Sequence, residues 1–69
     1  MERIFTAECY RYNDMKKEGI RIHSGRPEEN IDCLSPCMKW VRGFYAQNKK
    51  EAEQKGRAVA RATNSRFTK

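Results

Sequence analysis

Apolar and polar positions change rhythm several times along the chain, and each change predicts an element. From Arg3 to Tyr12 the residues are aromatic or β-favouring, and the polar run from Asn13 to Gly19 then reads as a turn. Ile20 to Gly25 alternates apolar and polar side chains, which predicts a returning strand and a hairpin with a loop of about seven residues. Residues 26 to 36 hold two prolines, and Pro27 followed by Glu28 and Glu29 suits the first turn of a short helix, so this stretch reads as a loop with one or two helical turns. Residues 37 to 46 fit two readings. As a strand they put Met38, Trp40 and Phe44 on one face and Val41 and Tyr45 on the other; as a helix they start at Ser35 and Pro36 and pair Trp40 with Phe44. Aromatic and β-branched residues, with Gly43 in the middle, favour the strand.

The last stretch has a helical period. Asn48, with Glu51 three residues on, makes a capping-box-like start; Glu51 precedes Lys55 and Glu53 precedes Arg57 at i,i+4, and Asn64 is a suitable end. On a helical wheel Ala52, Gly56, Val59, Ala60, Ala62 and Thr63 fall on one side, opposite Lys50, Glu53, Gln54, Arg57 and Arg61. Small inward residues let the helix approach a sheet closely, with the larger strand side chains filling the gap. The expected fold is therefore a small α+β domain of order β-β-β-α over residues 1 to 63, followed by a basic tail, 64 to 69, expected to fray.

Composition adds limits. Sixty-nine residues make one domain, and such a chain buries only about 60% of its unfolded surface, so its core is small. Hydrophobic residues make up 38% and charged residues 35%, but three Phe, three Tyr and one Trp supply material for a core. No window approaches the roughly 18 apolar residues of a membrane span, and the first residues lack a signal-peptide layout, so a cytoplasmic protein without a membrane partner is expected. Three cysteines, an odd number, argue against a disulfide framework in that compartment.

Charge changes the picture more. Residues 49 to 69 hold seven Lys and Arg against two Glu, so nearly all of the net charge of +6 lies at one end. Such clustering suits a polyanionic partner, which exchanges its counterions for fixed cations. Lys50, Arg57 and Arg61 form a near column on the outer helix face, Lys49 stands at the helix start, and Arg66 and Lys69 extend the positive charge. Phosphate is the simplest group to fit such a column.

The hairpin register decides two further questions. If Tyr12 faces Ile20, then Cys9 faces His23, the core is Ile4, Tyr10, Tyr12, Ile20 and Ile22, and Arg11 opposes Arg21 unfavourably. Slipped by one residue, the hairpin instead takes Phe5, Ala7, Cys9, Ile20 and Ile22 as its core, and the outer face shows Tyr10, Tyr12, Arg21 and His23. Aromatic rings interleaved with cations on an open sheet suit the stacking of unpaired bases. The first register would also bring Cys9, His23, Cys33 and Cys37 together as a zinc-like set, but only Cys33 and Cys37 are close in sequence, so no bound metal or other cofactor is expected. The single histidine has no acidic neighbour in sequence and there is no glycine-rich phosphate loop, so catalysis is not expected.

Residues 48 to 60, with Lys49, Lys50, Ala52, Gly56 and Ala60, are similar to the start of the last helix in double-stranded-RNA-binding domains. That resemblance implies a three-strand sheet ahead of the helix and paired lysines on a phosphate backbone, although the family opens on a helix and this chain on a strand. Two function classes follow. The first is a small basic nucleic-acid-binding protein, for DNA or RNA, that contacts phosphates through its C-terminal helix. The second is a protein-interaction module of the phage or mobile-element kind, whose basic face docks on an acidic protein surface and modulates a host protein.

Overall fold

A computed structural model describes the backbone of residues 1 to 67 and the side chains of residues 1 to 64. Strands β1 (Arg3–Tyr10), β2 (Gly19–Ser24) and β3 (Met38–Ala46) form one antiparallel sheet in the order β2-β1-β3, and helix α1 (Lys49–Phe67) packs across it. A 3-10 helix, Pro27–Cys33, lies between β2 and β3. The expected β-β-β-α order is present, and residues 37 to 46 are strand rather than helix.

The hairpin buries the face of the second reading, but its pairing is shifted by three residues from the first register, not by the one expected. Ala7 pairs with Ile22 and Cys9 with Ile20, so Phe5, Ala7, Cys9, Ile20 and Ile22 face the helix. The pairing of Tyr12 with Ile20 is therefore overturned: β1 ends at Tyr10, opposite Gly19, and Tyr10 and Tyr12 are not core residues. Arg11 does not oppose Arg21 either, because Glu8 takes that place. Register follows burial here, since a shift by an odd number of residues exchanges the two faces and would turn Phe5, Ala7 and Cys9 away from the helix.

β3 pairs Phe44 with Phe5 and Trp40 with Cys9 on the helix side, but a bulge next to Tyr10 brings Met38 opposite Tyr10, so Met38 does not continue the row of Trp40 and Phe44. Phe5 and Phe44 stack with ring centroids 6.1 Å apart over Ala46, Ala52 and Ile22. Such close packing is possible because the helix supplies Ala52, Gly56, Ala60 and Thr63, all buried. Ala62, expected on that side, is exposed. Asn48 Oδ1 accepts from Glu51 N at 2.9 Å, capping α1 as the sequence implies, while the Glu51 carboxylate turns to Lys55 at 3.0 Å. Asn64 does not end the helix, which continues to Phe67. Trp40 Nε1 donates to Asn64 Oδ1 at 3.0 Å, so Asn64 ties this turn to β3 from within the helix.

The sheet is covered on both faces. β1 is buried from Phe5 to Cys9 without a break, because α1 covers one side and residues 25 to 37 cross the other. Gly25, at φ +95°, makes the sharp entry into this strap, and Thr6 Oγ1 donates to its carbonyl at 2.7 Å.

Candidate functional site

Helix α1 carries the cations singled out from the sequence. Lys50, Arg57 and Arg61 are exposed, and among the described residues no hydrogen bond or ion pair within the chain occupies them. At 1.5 Å of rise per residue they stand about 10 Å and then about 6 Å apart along the axis. Glu53 and Arg57 line a common cleft, whereas the other expected pair, Glu51 and Lys55, is joined. Lys49 is not a free member of the column, since its Nζ donates to the Ile22 carbonyl at 3.1 Å. The side chain of Arg66 and all of Lys69 lie outside the described residues.

Two clefts open between α1 and β2. One, of about 320 Å³, is lined by Ile20, Arg21, Ile22 and His23 from the strand and by Lys49, Glu53 and Arg57 from the helix. The second, of about 330 Å³, continues past Ile20 and Arg57 to Ala60, Arg61 and Asn64. Cations thus stand beside apolar surface along the outer edge of β2, a combination that the helical wheel alone does not reveal.

Tyr10, Tyr12 and Arg21 come together on the opposite face, as the alternative register requires. Their surfaces are already partly used. The Arg21 guanidinium lies 4.3 Å from the centroid of Tyr10, whose ring also covers Gly19 and meets Tyr12 edge-on at 5.6 Å. Tyr12 Oη accepts from Ser35 Oγ at 3.0 Å. The outer face is therefore not the open stacking platform expected from the sequence, because the strap holds Tyr12 and Arg21 covers Tyr10.

Beneath the strap lies a buried polar network. The Glu8 side chain is 0% exposed; His23 Nε2 donates to its Oε1 at 2.8 Å, and Ser35 N donates to Oε2. His23, 17% exposed, thus has an acidic neighbour that is distant in sequence and adjacent in space. Ser35 Oγ is engaged by Tyr12 and by Cys37 N, not by His23, so the network fastens the strap to β1 and β2. Glu8 was not singled out from the sequence, although an acid between Ala7 and Cys9 in an otherwise apolar strand was the available signal. Cys9 and His23 lie on opposite faces of the sheet, so the register that would have gathered Cys9, His23, Cys33 and Cys37 is absent. Burial pushes the Cys9 thiol above its ordinary value, with the negative charges of Glu18 and Glu8 adding to the effect and Lys39 opposing it.

Among the described residues no helix is long and apolar enough to cross a membrane. Comparison with protein-family models, with curated proteins and with solved structures finds no match to this chain. The likeness of residues 48 to 60 to double-stranded-RNA-binding domains therefore remains a local one, and the chain opens on β1 where that family opens on a helix.

Proposed function

We infer that this is a small nucleic-acid-binding protein that holds the phosphate backbone with the cations of α1. The observation that carries the reading is the position of Lys50, Arg57 and Arg61: exposed on one helix and, among the described residues, in no ion pair within the chain. Fixed cations of this kind gain by exchanging mobile counterions with a polyanion, and they give affinity without base preference. Packing against the sheet supports the role, because Ala52, Gly56 and Ala60 hold the helix close and leave the charged side chains outward. Arg21 of β2 adds a cation on the opposite face, over Tyr10.

Binding of labelled single-stranded and duplex oligonucleotides, followed by fluorescence anisotropy at low salt, tests the reading. Saturable binding that weakens with added salt is expected. Failure to bind either form under these conditions would overturn it and leave the acidic protein surface as the partner for the same cations.

A further inference from the structure

We propose that the trough between β2 and α1 seats a single-stranded nucleic-acid segment, with its bases on an apolar floor and its phosphates on a cationic rim. This rests on the nucleic-acid reading and specifies the strand form and the side of the helix. The two clefts share Ile20 and Arg57, so they run together along the outer edge of β2. Ile20, Ile22 and Ala60 supply the floor. Arg57 and Arg61 stand on the helical rim, Lys49 completes the positive border and Glu53 is the acidic residue among them, while the Arg21 guanidinium lies on the other face over Tyr10.

Charge and backbone chemistry together select the occupant. Three cations against one carboxylate complement a phosphate chain. An acidic peptide would meet the same charges, but adding to β2 as a further strand would require the edge carbonyl of Ile22, which Lys49 Nζ already holds. A nucleic-acid strand needs no main-chain ladder. In a duplex the base faces are stacked inside, and only phosphates, sugars and base edges in the grooves are presented, so no base face reaches the floor; an unpaired strand can lay its bases on Ile20 and Ile22. The geometry thus favours a single strand over a duplex, although the duplex has the higher charge density.

The test compares a labelled short oligothymidylate with a hairpin duplex of equal length, using the wild-type chain, Lys49→Ala, the double variant Arg57→Ala/Arg61→Ala, and Glu53→Gln. Circular dichroism melting confirms that each variant is folded. The single strand is expected to bind more tightly than the duplex at equal salt. Loss of Lys49 should reduce the log–log salt slope on the single strand by about 0.7 units, the value for one phosphate contact. Glu53→Gln should tighten binding about threefold, the effect of removing one negative charge at about 6 Å in water. If the duplex binds as tightly, or if only the Arg57/Arg61 variant lowers the slope, the trough is not the seat while helix binding stands. If no oligonucleotide binds at low salt, the nucleic-acid reading itself fails. Tighter binding of a labelled oligo-glutamate than of any oligonucleotide would assign the trough to an acidic peptide and overturn the proposal.

Discussion

Glu8 shows most clearly how a single residue ties together distant parts of this chain. It stands in the central strand with its carboxylate fully buried, and it receives one hydrogen bond from β2 and one from the strap. Replacing it with Ala removes the acceptor and leaves His23 and the Ser35 N–H without that partner. The expected loss is about 1 to 3 kcal/mol, read as a lower urea midpoint, with Glu8→Gln less damaging because an amide oxygen still accepts. An unchanged midpoint for Glu8→Ala would contradict the network. Cys9, on the other face of the same strand, gives a pH prediction. Its thiol is raised above the ordinary 9.0, so the unfolded chain releases that proton first as pH rises. Its contribution to stability is complete below that value and is lost as pH rises through the higher folded-state value. Cys9→Ala should therefore flatten the alkaline side of the stability curve. Neither role was visible in the sequence, because each depends on which face of β1 is covered by which distant segment.

At the scale of elements, the close approach of α1 to the sheet depends on Gly56. A Cβ there would run into Ile22 Cδ1 and lie 3.5 Å from Phe44 Cζ. Gly56→Leu should overpack this contact and cost about 1 to 3 kcal/mol, despite the better helix propensity of Leu. Gly56→Ala should cost less, since the end methyl of Ile22 can move and Ala recovers about 1 kcal/mol of helix propensity. A higher melting temperature for Gly56→Leu would mean that the small face does not pack on the sheet. The small face, apart from Ala62, was readable from helical period and the Asn48 cap from residue spacing, while the third strand rested on its aromatic and β-branched residues, because the pattern of 37 to 46 fits both a strand and a helix. The register of the hairpin was not, since two registers each bury a plausible row of apolar side chains. What decides between them is the strap, which takes Glu8 and Thr6 on the outer face and leaves Phe5, Ala7 and Cys9 for α1. The helix end was also misplaced at Asn64, whose side chain bonds to Trp40 across 24 residues.

Across the whole molecule, charge is arranged about the sheet. Glu28, Glu29 and Asp32 belong to the strap segment on the outer face, while Lys49, Arg57 and Arg61 lie along the helix and the β2 edge. The sequence indicated the excess of positive charge near its end but not its alignment with Ile20 and Ile22, which only the fold places beside the helix. The central claim is that α1 neutralises phosphates, and the salt dependence of binding measures this directly. For wild type and for a variant with two of Lys50, Arg57 and Arg61 replaced by Ala, the logarithm of the binding constant is plotted against the logarithm of salt concentration on a duplex. Each lost phosphate contact removes about 0.9 from the slope, so the double variant should be shallower by roughly two units, with sequence preference unchanged. A slope equal to that of the wild type, in a variant that melts as the wild type does, would contradict the claim.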